Sequence, residues 1–272
     1  MLAMLSEMFS YEFLTRAFLV GTLVSLAAAL LGVSLVLKRY SMIGDGLSHV
    51  GFGALSIAFA LNLAPLYVSI PACVVAAFFL LKISENSKIK GDAAIALIAS
   101  SSLAIGVIAT SLSSGLSVDV YGYMFGSILA MQQSDVYISV ALSAAVLAVY
   151  VLCYNKIFAV TFDADFARAT GTKTSFYNML LALLTALTIV VGMRIMGTML
   201  ISSLIIFPAL SAMRVLRSFK GVIICSGVIS VVCFFLGMVF SYVFSIPTGA
   251  SVVVVNLAVF LIFYVIGKLL KR

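Results

Sequence analysis

The sequence predicts an all-α, polytopic membrane protein with about eight to nine transmembrane helices, and three observations carry that expectation. Of the 272 residues, 64% are hydrophobic and 9% charged, whereas a water-soluble domain carries about 25% charged residues to cover its aqueous surface. Mean hydropathy is +1.28. Residues 17–37, 94–118 and 221–246 contain no charge at all, and each reaches the roughly 20 residues that a helix needs to cross a bilayer core.

Charges, glycines and prolines divide the chain into nine spans, at 17–37, 43–61, 64–81, 93–112, 136–155, 174–193, 195–213, 221–244 and 249–267, or eight if two of them merge. No linker, low-complexity segment or soluble region interrupts them, so residues 1–272 are expected to form one membrane domain. With the N-terminus outside, fourteen of the sixteen basic residues fall in inner loops and only Arg16 and Arg194 lie outside. That bias follows the positive-inside rule and predicts a multi-pass protein of the cytoplasmic (inner) membrane, its C-terminus cytoplasmic. The N-terminal stretch carries Glu7 and Glu12 and no basic residue before its apolar run, which argues against a cleaved signal peptide.

The net charge of +7 does not imply nucleic acid, because the basic residues form short clusters between apolar spans rather than one stripe. Cys73, Cys153, Cys225 and Cys233 lie singly in apolar segments, without metal-ligand spacing, and read as packing residues. No GxxxxGK[ST] phosphate loop is present, so any ATP hydrolysis belongs to a separate chain.

Two connections are more than turns. Residues 120–131, VYGYMFGSILAM, are too short to span and too apolar to lie in water, which predicts a re-entrant or interfacial helix. Residues 160–175 mix acids and bases with Phe162 and Phe166 at i,i+4, the pattern of a short amphipathic helix, with Gly171 placed to cap its C-terminus.

The chemistry concentrates in MIGDGLSHVGFG, residues 42–53. It holds the sole histidine of the chain, His49, and Asp45, the one acid inside a predicted span. At i and i+4 a carboxylate and an imidazole share a helix face, and zinc and its neighbours accept that oxygen–nitrogen pair. An Asp at the centre of a membrane helix costs roughly 2.5–3.5 kcal/mol on insertion scales, which argues for purpose. The competing reading has Asp45 capping its helix and His49 bonded to a neighbouring one. Gly44, Gly46, Gly51 and Gly53 fit either reading as close-packing residues. Met193, Met196 and Met199, at i, i+3 and i+6, form a second soft-ligand pattern, though methionines in lipid are usually packing. Pro208 is expected to kink its span, and Pro247-Thr248-Gly249 to turn the chain.

Four blocks in order, LGVSLVLKRYSMIGDGLSHVGFG, FDADFARATGT, VVGMRIMGTMLISSLIIFPALSAMR and IPTGASVVVVNLAVFLIF, resemble the permease family of zinc and manganese ABC importers across nearly the whole chain. The last two are also similar, more distantly, to permeases of cobalamin and iron-siderophore importers, which implies the type II ABC importer fold. The resemblance implies a homodimer working with two ATPase subunits and an extracytoplasmic metal-binding protein. No permanent cofactor is expected; the metal ion is cargo. Asp45 and His49 map onto proposed metal contacts of the family. Phe162, Asp163, Asp165, Phe166, Arg168 and Gly171 map onto its ATPase-coupling loop. The spellings Gly44-Asp45-Gly46 and His49-Val50 place zinc ahead of manganese.

This reading is a transport subunit rather than an enzyme, with no catalytic residues. The alternative is a gradient-driven secondary metal-ion transporter, which would ordinarily need more intramembrane carboxylates than Asp45 alone. An intramembrane metalloprotease would need more than one histidine.

Overall fold

The computed structural model describes residues 10–86, 91–112 and 133–270, apart from the side chains of 84–86, 91–92, 134 and 194–195. The interfacial helix expected over 120–131 lies outside the described residues. In chain order the helices are α1 Glu12–Leu37, α2 Ile43–Ala60, α3 Pro65–Asn86, α4 Gly91–Leu112, α5 Gln133–Leu152, α6 Tyr154–Phe162, α7 Ala164–Ala169, α8 Thr174–Met196, α9 Thr198–Val215, α10 Phe219–Phe244 and α11 Thr248–Leu269. Among the described residues nine are long and apolar enough to cross a membrane, all but α6 and α7. The higher of the two expected counts holds.

Helices are the physical solution here because lipid offers no partner to a backbone amide, so each span satisfies its own. The ends are closed locally. After α1, Arg39 adopts φ 62°, and the Arg39 and Tyr40 amides donate to the Val36 and Leu35 carbonyls. This is a Schellman closure made without glycine. Asn62, φ 54°, closes α2 the same way through Phe59 and Ala58.

α1 forms the axis of the bundle, packed against α5, α8, α9 and α10. Water does not drive helices together in lipid, so association depends on close backbone approach and on interhelical hydrogen bonds. Both occur along α1. At Gly32 an added Cβ would stand 2.0 Å from the Ile205 carbonyl oxygen of α9. Two serines one turn apart on α10 reach two α1 carbonyls: Ser230 Oγ donates to Ser25 O at 2.9 Å and Ser226 Oγ to Ala29 O at 3.3 Å. Ser251 Oγ of α11 likewise donates to Gly237 O of α10 at 2.8 Å. Val20, Val24, Ala28, Leu31, Leu200, Ile201 and Leu204 fill the space between these ties.

Several expectations change. α1 begins at Glu12 rather than residue 17 and takes in the ion pair of Arg16 with Glu12. The fifth span ends at Leu152 instead of 155, because the chain turns at Cys153 into α6. α5 also takes in Asp135, 5% exposed and already partnered, so Asp45 is not the sole acid within a helix. The break between α8 and α9 falls at Gly197, φ 84°. Met199 therefore starts a new helix and is 54% exposed while Met193 and Met196 are buried. The methionine pattern does not converge.

If the Gly32 contact fixes the bundle, adding a methyl there must move backbone. Gly32→Ala is expected to destabilise by about 1–3 kcal/mol, read as a lowered unfolding midpoint in detergent. Gly227→Ala, whose Cβ would meet only the ends of the Leu26 and Leu30 side chains, at 2.9 and 3.5 Å, is expected to stay near the parental value.

Candidate metal transit site

α2 is positioned by two glycine pairs, each spaced by seven residues. Gly46 and Gly53 meet α4, where an added Cβ would lie 2.6 Å from Ile95 Cγ2 and 2.6 Å from the Ser102 carbonyl oxygen respectively. Gly44 and Gly51 meet the other side, 3.0 Å from Ile205 of α9 and 2.5 Å from Met193 of α8. Cys73 Sγ of α3 closes the back at 3.5 Å from Leu47 O. With small residues on two faces, the face between them carries Asp45 and His49.

These contacts also set depth. Ile205 is the residue that meets Gly32, well short of the end of α1 at Leu37, while Met193 lies near the far end of α8. Asp45 and His49 sit between those two levels. The pair therefore lies short of the end of α1, level with the stretch of the bundle between the Ile205 and Met193 contacts.

Asp45 Oδ2 and His49 Nε2 are 3.7 Å apart, with side chains 45% and 22% exposed. That is too long for a hydrogen bond. It is close to the separation of about 3.4 Å that two donors reach when each lies about 2.1 Å from one tetrahedral ion. Both line a cleft of about 280 Å³ between α2 and α4, completed by Met42, Ile95, Ala96, Ala99, Ser100 and Leu103. Asp45 is not the helix cap: α2 starts at Ile43, its N-cap is Met42, and Asp45 lies within the first turn. His49 has no further hydrogen-bond partner among the described residues. Among the described residues no group of three or more His, Cys, Asp or Glu is gathered there, so these residues offer an ion two donors and the Ser100 hydroxyl.

The residues expected to form a coupling loop lie elsewhere. They form two helices, not one, because the backbone at Asp163 is extended, φ −147° and ψ 96°. Asp163 caps α7 by accepting from the Phe166 amide at 2.8 Å, and Arg168 approaches Asp165 at 3.9 Å. The Phe162 ring belongs to α6, tilted against Phe158 at 4.9 Å and edge-on to Phe219 at 5.6 Å, and is 59% exposed; Phe166, on α7, is 65% exposed. Gly171, φ 83°, ends α7 in a Schellman closure: its amide donates to Arg168 O and that of Thr172 to Ala167 O. Sequence periodicity found the segment and its glycine cap. It missed the break, which an Asp before Ala-Asp-Phe, a capping residue ahead of a new turn, could have signalled.

Comparison with known proteins places this architecture. The chain is 31% identical over 265 residues to the manganese import system permease protein ScaB of Streptococcus gordonii, covering 96% of this chain and 95% of that protein. It is 30% identical over 262 residues to an uncharacterized membrane protein of Cyanophora paradoxa, covering 96% of this chain and 88% of the other. The structure of PsaBC from Streptococcus pneumoniae in complex with Fab superposes with a TM-score of 0.86 at 31% identity, over 97% of this chain and 95% of that one. A metal-chelate type ABC transporter in an inward-facing conformation, 14% identical, shares the fold with a TM-score of 0.72 over 92% of this chain and 85% of its own. The model of the ABC 3 transport family matches residues 10–267, and the chain belongs to that family.

Proposed function

We propose that this chain is the membrane-spanning subunit of an ATP-driven importer for a divalent transition metal, and that Asp45 and His49 contact the ion in transit. The observation that carries the reading is the meeting of Asp45 Oδ2 and His49 Nε2 at 3.7 Å inside the span, on the wall of a cleft. An ion in transit must bind well enough to shed water and weakly enough to leave, and two protein donors suit that better than a closed set of four. Family membership supports an ATPase partner over a gradient-driven secondary mechanism.

The cleft opens at the edge of the bundle, beside α4, whose Leu97, Ile105 and Ile108 are more than half exposed. A second copy of the chain across this edge would enclose the path and bring a second pair of donors. The working unit is therefore a homodimer with two ATPase subunits and an extracytoplasmic protein that delivers the metal. Manganese is the cargo favoured by the relatives, ScaB among them. The Gly44-Asp45-Gly46 and His49-Val50 spellings favour zinc, and zinc binds an oxygen–nitrogen site more tightly than manganese. Zinc is expected to inhibit manganese uptake.

Orientation rests on charge. Lys38 bonds Asn178, Phe219 packs on α6, and Gly267 packs on Arg214, so the ends bearing Lys38, Lys156, Lys173, Arg214, Lys220 and Lys268 converge. The positive-inside rule makes that end cytoplasmic. A cysteine placed at Glu12, on a cysteine-free background, is then expected to react with an impermeant maleimide from outside. Reaction from the cytoplasm alone would invert the assignment.

Asp45→Asn and His49→Ala are each expected to lower manganese uptake by about tenfold or more in reconstituted vesicles. The double variant should be little worse, since both act on one ion. Near-parental uptake by both single variants, assembled with the ATPase, would return the pair to a packing role.

For the coupling segment, Phe166→Ala is expected to weaken ATPase association and transport while leaving the thermal stability of the permease unchanged, because the ring is exposed. Phe162→Ala is expected to lower both stability and coupling, since its ring packs on Phe158 and Phe219. An unaltered complex with unaltered ATP-coupled transport in Phe166→Ala would remove α7 from the interface.

A further inference from the structure

A second cavity, of about 330 Å³, lies at the opposite end of α8 from Met193 and is lined by Lys156, Gly171, Thr172, Lys173, Phe176 and Tyr177. Every polar side chain that lines it, lysine, threonine or tyrosine, is a donor or can act as one. The Lys156 and Lys173 side chains have no ion-pair or hydrogen-bond partner among the described residues. Thr172 is only 9% exposed, and its hydroxyl makes no hydrogen bond to any described residue. α8 starts here without a side-chain cap and with no acid in its first turn, leaving the Thr174, Ser175 and Phe176 amides without acceptors. A 23-residue helix presents partial positive charge at that terminus, and two ammonium groups add to it. No carboxylate lines the cavity.

The same end of α8 is apolar on one side. Phe176 and Met179 are 57% and 48% exposed, and Leu183 and Leu187 continue incompletely covered along the same helix stripe into the span. An oxyanion held in the cavity would have hydrocarbon-compatible surface directly beside it. Free phosphate has no use for such a stripe; an acyl chain does.

We propose that this cavity is a binding site for the phosphodiester of an anionic phospholipid, with phosphate oxygens on Lys156, Lys173, the Thr172 hydroxyl and the α8 amides, and an acyl chain along Phe176, Met179, Leu183 and Leu187. Gly171 and Thr172 follow directly on α7, so the lipid would brace the joint between the coupling segment and the span that reaches Gly51. This site is independent of which metal is carried.

The test is native mass spectrometry of the full-length chain released from nanodiscs of dioleoylphosphatidylcholine and dioleoylphosphatidylglycerol at 3:1, with and without inorganic phosphate. The parental chain is expected to retain phosphatidylglycerol in preference to phosphatidylcholine. Lys156→Gln and Lys173→Gln should each lower that retention by about fivefold, Thr172→Val should lower it without altering charge, and Lys156→Arg should keep it; equal unfolding temperatures establish that the variants remain folded. Retention unchanged in Lys156→Gln/Lys173→Gln overturns the proposal. So does displacement of the lipid by millimolar inorganic phosphate, which would mean a free-oxyanion site. So does loss of ATPase association in that variant with lipid retention intact, which would assign the lysines to a protein contact.

Discussion

The backbone approach between Gly32 and the Ile205 carbonyl is the constraint on which the remaining geometry rests. In lipid the apolar side chains of a helix gain little by leaving their surroundings, so two helices hold together where their backbones come close enough for dispersion and hydrogen bonding to act. Gly32 allows that for α1 and α9, and the Ser226 and Ser230 bonds to Ala29 and Ser25 do the same for α1 and α10. Once α9 is seated, Ile205 presents its side chain to Gly44, so the start of α2 is registered against a helix already fixed on α1. The depth of Asp45 and His49 follows from that chain of contacts.

A charged group at such a depth is tolerated because it faces a cleft instead of acyl chains. Asp45 keeps 45% of its side chain exposed, and the cleft walls beside it are small, Ala96, Ala99 and Ser100. Small side chains leave room for an ion with part of its hydration shell. Ser48 Oγ donates to the Gly44 carbonyl at 2.8 Å and so stays folded back on its own helix, leaving the carboxylate and imidazole as the polar groups α2 presents to the cleft.

α8 joins the two candidate sites of the molecule. It starts at the Gly171 closure of α7, packs against α7 and α6 at that end, and carries Met193 against Gly51 near the other. The Schellman closure at Gly171 and the Asp163 cap bound α7 as a short helix with a hydrogen-bonded closure at each end. The aromatic cluster of Phe158, Phe162 and Phe219 ties α6 to the start of α10, a second attachment for the same segment.

Composition and the spacing of charges were enough to establish a polytopic helical membrane protein, the approximate position of every described span, the segregation of basic residues and the pairing of Asp45 with His49, because each follows from local chemistry: length of apolar run, cost of a charge in lipid, and the i,i+4 repeat. Helix ends were legible only to within a few residues where the end is not marked by the apolar run: the ion pair of Arg16 with Glu12 carries α1 past its apolar stretch, and α5 stops at Leu152 because the chain turns at Cys153. Tertiary structure alone decided that Asp45 is not a cap, that Met199 parts from Met193 and Met196, and that Phe162 and Phe166 sit on separate helices. Lys156, Thr172 and Lys173 became a cavity only when α6, α7 and α8 met. In each case the deciding quantity is the register of one helix against another, which is set by where small residues let backbones touch and is invisible to any pattern within a single helix.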